Sequence, residues 1–249
     1  MVLGCALACT AAKSTGEITL FAAASLRDAC GELAAAFEAQ TGARVVCHFA
    51  SSNLLARQIL DGAPCDLFLS AGAPQVDELE RAGLLQPGTR IDFAANTLVV
   101  VQPDPLPADL PAVRVPRDLL DPRIGRLALA DPQGVPAGRY AREWLESLGL
   151  WEPLAARSVP ALDVRAALAL VEAGAAGAAV VYATDARAAA RARVALEIAA
   201  ADGPPIVYPA AVLSGAREPD LARRFLAFLE GEGGRAILVR HGFRDPTDG

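Results

Sequence analysis

Four short stretches of this chain are suited to holding a charged ligand without a charged side chain. In Ala22-Ala23-Ala24-Ser25, Ala50-Ser51-Ser52-Asn53 and Val135-Pro136-Ala137-Gly138, an apolar strand pattern ends, a small or polar residue follows, and a helical pattern begins. Asp163-Val164-Arg165 opens a further helical pattern and is the fourth candidate. A helix start leaves backbone N–H groups without intrahelical acceptors and carries about half a positive charge, so it attracts an anion unaided. Four such starts converging would present about +2, close to the charge of a dianion. Taken singly, Ser25 and Ser52 read as ordinary N-caps; only their conjunction with the other starts points to a ligand.

A nucleophilic hydrolase is the rival reading, and it needs a base. His48 and His241 are the only histidines, the first within an apolar strand and the second in a terminal helix; a Ser-His-Asp triad would have to use one of them. No GxSxG, HExxH, P-loop or suitably placed GxGxxG occurs. The carboxylate pairs Asp77-Glu78 and Glu230-Glu232 fall on predicted solvated helix faces. Cys30, Cys47 and Cys65 have no CxxC spacing and no neighbouring histidine pair, which argues against a zinc or thioredoxin-like site; they read as small buried residues. No catalytic residue and no cofactor is expected.

The elements that must position these loops alternate in an α/β pattern with mostly parallel strands. Strands are predicted at Ile18 to Phe21, Val45 to Phe49, Asp66 to Ser70, Leu98 to Val101, Leu127 to Leu129, Ala179 to Tyr182 and Ile206 to Pro209. Between them, Leu26, Cys30, Leu33 and Phe37 recur at helical steps after a Ser25 cap, and Ser51-Ser52 caps a second helix through Leu55 and Ile59. Further helices are predicted from Pro74 to Ala82, Pro136 to Leu148 and Asp163 to Ala173, with two more near Phe225 to Leu229 and Ala236 to Leu238. The prolines at 103, 105, 107, 111 and 116 punctuate an irregular passage that reads as the approach to a second lobe. In open α/β sheets ligands lie beyond the carboxyl ends of strands, where all four loops fall.

Composition narrows the partners. The 249 residues are 53% hydrophobic and 21% charged with a net charge of −6, which excludes intrinsic disorder and any basic stripe for a nucleic acid. Lys13 is the one lysine. No apolar run reaches the roughly 18 residues needed to cross a bilayer. Residues 1–16 read as a leader: Val2 to Ala12 resembles the later part of a secretory signal without its positive n-region, and Cys5 and Cys9 offer lipidation as the alternative.

Phe21-Ala22-Ala23-Ala24-Ser25-Leu26, Phe49-Ala50-Ser51-Ser52, Leu55-Ala56-Arg57-Gln58-Ile59 and Gly62-Ala63-Pro64-Cys65-Asp66 together resemble the periplasmic molybdate-binding proteins of ABC importers. The likeness continues through Asp131-Pro132, Val135 to Ala141, Leu148 to Trp151, Asp163 to Leu168, Val181 to Asp185 and Val207-Tyr208-Pro209, in the family's order. Gly72, Asn53 and His241-Gly242-Phe243 depart from its common pattern.

The resemblance implies a two-lobed periplasmic-binding-protein fold of type II, each lobe a mostly parallel sheet flanked by helices, with the ligand cleft between. Residues 17–96 and 208–249 would form one lobe and 97–207 the other. It implies that Ser25 and Ser52 donate hydroxyl and backbone N–H bonds to a molybdate or tungstate oxyanion, Ala137 and Val164 their backbone N–H, and Tyr182 its phenol. It also implies a monomer in the periplasm or otherwise outside the cytoplasm that hands its cargo to an ABC transporter's membrane permease. Sulfate or phosphate is the alternative cargo. The sensory lobes of a transcription regulator are disfavoured because no basic helix-turn-helix flanks the domain.

Overall fold

The computed structural model describes residues 16–248, so the predicted leader lies outside the described residues apart from Gly16. The chain begins with β1 (Glu17–Ala23), a 3-10 turn over Ala24–Leu26, α1 (Arg27–Thr41), β2 (Arg44–Ala50), α2 (Ser52–Leu60), β3 (Leu67–Leu69), α3 (Ala73–Arg81) and β4 (Ile91–Asn96). It continues through β5 (Leu98–Pro103), β6 (Leu127–Ala130), α4 (Pro136–Ser147), α5 (Trp151–Ala155), β7 (Ser158–Ala161) and α6 (Val164–Glu172). Then follow β8 (Ala178–Tyr182), α7 (Ala183–Arg187), β9 (Ala192–Glu197), β10 (Ile206–Val212), α8 (Pro219–Glu230) and α9 (Glu232–Arg240).

The strands form two five-stranded sheets, ordered β2-β1-β3-β10-β4 and β7-β6-β8-β5-β9. Each sheet is mixed. In the first, β1 runs parallel to β2 and β3 while β10 runs against β3 and β4; in the second, β6 runs parallel to β7 and β8 while β5 runs against β8 and β9. The one reversed strand in each sheet is the first strand after a passage from the other sheet. The chain changes sheets at Thr97, ahead of the proline-rich passage, which therefore lies within the second lobe and is not the approach to it. It returns between Glu197 and Ile206.

Burial explains why these elements form where they do. Along α1, Cys30, Leu33 and Phe37 are buried at three- and four-residue steps against β1 and β2, and each full burial of a large apolar side chain stabilises the fold by about 1.5–3 kcal/mol. Phe37 meets Phe225 of α8 edge to face at 5.1 Å. Gly42, at φ 75°, closes α1 in a left-handed turn that a side chain would strain. Asp66 is buried between β1 and the last helices, accepting from the Thr19, Arg217 and Glu218 N–H groups.

Three predicted details are corrected. Ser25 does not cap α1: it lies inside the 3-10 turn, and α1 starts at Arg27 with no side-chain cap bond. Ser51 is the N-cap residue of α2, and it makes no side-chain cap bond either; Ser52 is already helical. His48, expected within an apolar strand, is exposed on edge strand β2. Among the described residues Cys30, Cys47 and Cys65 are free thiols, with Cys30 and Cys65 buried. Burial pushes the Cys47 thiol up to about 11 and Cys65 up to about 12, so both stay protonated and unreactive near neutral pH.

Candidate functional site

The two lobes meet along the carboxyl ends of β1, β3, β6 and β8, and a small cavity of about 10 Å³ lies there. Its lining includes Ser25, Ser52, Ala137, Val164 and Tyr182, together with Ser51, Ala71 and Asp163. A space of this size holds no more than about one water, so even a compact ion needs the lobes to part before it enters. Neither histidine lines it: His241, at the end of α9, pairs with Glu32 at 2.8 Å.

Three α-helices, α2, α4 and α6, begin at the cavity wall, and the fourth start is the 3-10 turn before α1. The helix charge directed at the centre is therefore nearer about +1.5 than +2. In α4 the first intrahelical bond runs from the Arg139 N–H to the Val135 carbonyl, and Pro136 has no N–H, so Ala137 supplies the first N–H without an acceptor in its helix. Gly138 lets this helix start sit where it does. A Cβ there would lie 2.1 Å from the Ala130 carbonyl oxygen. In α6 the Asp163 carboxylate caps its own helix, accepting from the Ala166 N–H at 2.9 Å. That cap leaves the Val164 and Arg165 N–H groups open.

The two serine hydroxyls are set up as donors by what their oxygens accept. Ser52 Oγ accepts from the Ala71 N–H at 3.0 Å, which leaves its own proton to be given elsewhere. Ser25 Oγ lies 3.1 Å from the Tyr208 hydroxyl. Tyr208 Oη in turn accepts from Asn96 Nδ2 at 3.2 Å, and the Asn96 amide is oriented because its Oδ1 accepts from the Thr97 N–H at 2.9 Å. With Asn96 donating to it, Tyr208 Oη can give its own proton to Ser25, and in that arrangement the Ser25 proton is free for the cavity. Burial drives the Tyr208 phenol far above its ordinary range, so it keeps that proton.

Tyr182 ends β8, is 1% exposed, and directs its phenol at the Ala71 carbonyl of the facing lobe over a long 3.4 Å. Burial, with Tyr208 adding, raises its phenol well above the usual value and keeps it a donor. The cavity wall thus presents O–H and N–H groups and no lysine or arginine, and its one charged residue is Asp163, whose carboxylate caps α6.

Sequence reasoning missed Tyr208 and Asn96 as parts of this arrangement. Tyr208-Pro209 stood among the family-like motifs, but nothing local tied it to Ser25; Asn96 gave no signal at all. Both lie beside the sheet-to-sheet passages, Asn96 just before the first and Tyr208 just after the second. The departures Asn53 and Gly72 fall at the lip: a Cβ on Gly134 would lie 3.0 Å from Asn53 Nδ2, and one on Gly72 would lie 3.3 Å from both Pro136 and the Tyr140 hydroxyl.

Two α/β lobes joined by two passages, with a donor-lined cavity between them, define a solute-binding protein that encloses a small ligand. The chain belongs to the bacterial extracellular solute-binding protein family, which it matches over residues 18–244. It is similar to the molybdate-binding protein ModA of Escherichia coli, 38% identical over 97% of this chain and 94% of that protein. The structure of the Azotobacter vinelandii periplasmic molybdate-binding protein superposes with a TM-score of 0.81 at 27% identity, covering 91% of this chain and 98% of that one. The Mycobacterium tuberculosis sulfate-binding protein SubI shares the fold at a TM-score of 0.82 and 19% identity, over 92% and 87% of the two chains.

Proposed function

We propose that this chain captures molybdate, and tungstate equally well, outside the cytoplasm and delivers it to the membrane permease of an ABC importer. The observation that supports this most directly is the pair of serine hydroxyls at the cavity: Ser52 Oγ accepts from the Ala71 N–H, and with Tyr208 donating to Ser25 both serine protons are left for a ligand. A fully ionised tetrahedral oxyanion only accepts hydrogen bonds, so a wall rich in O–H and N–H donors, with its one carboxylate turned to its own helix, matches it. Its oxygens would be met by Ser25 and Ser52 from one lobe and by the Ala137 and Val164 N–H groups and Tyr182 from the other. Tyr182 would exchange its long contact with the Ala71 carbonyl for a charged acceptor, a stronger bond.

The same arrangement argues for binding over catalysis: the histidine nearest Ser25, His241, is paired with Glu32, and the Asp163 carboxylate at the cavity caps its own helix. Selectivity then rests on size: donors spaced for the long metal–oxygen bonds of molybdate leave sulfate underbonded. The lobes would close about the Asn96–Leu98 and Glu197–Ile206 passages, and the closed monomer is the form the permease would recognise.

A thermal-shift screen with molybdate, tungstate, sulfate and phosphate tests this reading. At a hundredfold excess over Kd a ligand stabilises the fold by about 2.7 kcal/mol, a rise of roughly 5–10 °C for a chain of this size. Molybdate and tungstate are expected to give it. A shift with sulfate or phosphate alone would reassign the cargo.

A further inference from the structure

Val164 and Ser25 each precede, by one and three residues, a charged side chain that faces the other lobe. Arg165 is the second residue of α6 and Asp28 the second residue of α1. Arg165 Nη2 donates to Asp28 Oδ2 at 2.5 Å, joining helices that belong to different sheets. The same guanidinium places its Nε against Asp185 Oδ1 of α7, within its own lobe. Exposure is graded across this trio, from 0% for the Asp185 side chain through 23% for Arg165 to 45% for Asp28.

We propose that Arg165 is a latch between the lobes, braced by Asp185 and closing on Asp28, and that it governs how long the captured anion is retained. This deepens the binding role above and rests on it. An isolated surface ion pair contributes little, because two long side chains lose rotamer freedom to form it. Here the guanidinium already lies against the buried Asp185 inside its own lobe, an ion pair without hydrogen-bond geometry, so closure has mainly the short Asp28 side chain left to order. Closing the cleft brings Asp28 into reach, and opening it breaks that contact while leaving the Arg165–Asp185 pair intact. Because Arg165 follows Val164 directly, the latch and a cavity-facing N–H move as one helix start. The latch borders a polar hollow shared with Arg187, Arg240 and His241, so solvent ions reach it and salt weakens it.

The test uses the full chain and its Asp28→Asn variant, with dissociation followed by stopped-flow fluorescence of the two tryptophans. The probe is whichever of molybdate, tungstate, sulfate or phosphate shifts the wild-type melting temperature. Dissociation from Asp28→Asn is expected to be roughly three- to tenfold faster, with association changed far less. Raising the salt to 0.5 M should accelerate release from the wild type and not from the variant, a difference that a general loss of packing would not produce. An Arg165→Lys variant, whose single ammonium cannot face Asp28 and Asp185 through two separate nitrogens, should release faster than wild type. Equal dissociation rates for wild type and Asp28→Asn at low salt overturn the latch while leaving the cargo reading untouched. If molybdate fails and sulfate binds, the cargo reading falls and the latch is still judged, on sulfate. If none of the four binds, small-angle scattering decides it: the latch predicts a larger radius of gyration for Asp28→Asn, and equal radii overturn it.

Discussion

Ser25 and Tyr208 face each other at 3.1 Å across the base of the cleft, although 183 residues separate them in the chain. Tyr208 follows the second passage between the lobes, and its partner Asn96 precedes the first. Hydrogen bonds from Asn96 through Tyr208 to Ser25 therefore tie the two passages to the cavity. Substituting either end of the Ser25–Tyr208 pair should be felt in different quantities.

Ser25→Ala removes a cavity donor and leaves the Tyr208 hydroxyl without its acceptor. A hydrogen bond to a charged group is worth about 1.5–3 kcal/mol, so Kd for molybdate should rise by roughly ten- to a hundredfold. Titration calorimetry reads this. An unchanged Kd would place Ser25 outside the binding set.

The two tyrosines should separate. Tyr182 lines the cavity and Tyr208 does not, so Tyr182→Phe should weaken binding more than Tyr208→Phe. Tyr208→Phe should instead cost about 1 kcal/mol of unfolding free energy through its bonds to Ser25 and Asn96. Calorimetry and urea titration on both variants give the comparison, and the reverse order would contradict the assignment.

Gly138→Ala forces a Cβ to within 2.1 Å of the Ala130 carbonyl oxygen, so the start of α4 must move. Overpacking of this kind costs about 1–3 kcal/mol. Because the Ala137 N–H moves with that helix start, the variant should lose affinity as well as stability. Retention of both would mean that this N–H does not contribute.

Asp185 sets a pH dependence whose sign follows from its burial. Burial raises its carboxyl to about 7, and Arg165 offsets only part of that rise, with Asp163 and Asp28 pushing the same way as burial. The folded state holds a proton that the unfolded chain releases, so stability from this group is full below the ordinary carboxylate value and declines as pH rises to about 7. Relative to Asp185→Asn, the wild type should lose stability between about pH 4 and pH 7, measured by urea titration across that range. A constant difference between the two would contradict the assignment.

Much of the fold was legible because buried strands and amphipathic helices write their period into the chain. The run Leu20-Phe21 in β1 and the Cys30, Leu33, Phe37 face of α1 are examples. The strands that sequence reasoning missed, β4, β7 and β9, all lie at sheet edges; β7 and β9 are incompletely covered, while β4 is largely buried but written in the short, weakly patterned run Ile91-Asp92-Phe93-Ala94-Ala95-Asn96. β7 carries Pro160 and is nowhere fully buried. At the site, the loops that hold Ala137 and Val164 were visible because a strand-to-helix junction has a local signature, while the choice of these two residues within them rested on the family resemblance. The positions of Ser25 and Ser52 were visible too, but their capping role was misread: the hydroxyls answer to Tyr208 and Ala71, partners set by tertiary packing. Asn96 and Tyr208 lie beside the two passages between the sheets, and no local window of the chain contains both.

Elemental analysis after equilibrium dialysis tests the central claim most directly. Purified chain, dialysed against molybdate with sulfate in large excess, should retain one molybdenum per chain and no sulfur beyond its own cysteines and methionine. Sulfate retained in place of molybdenum, or no oxyanion retained at all, would contradict the account.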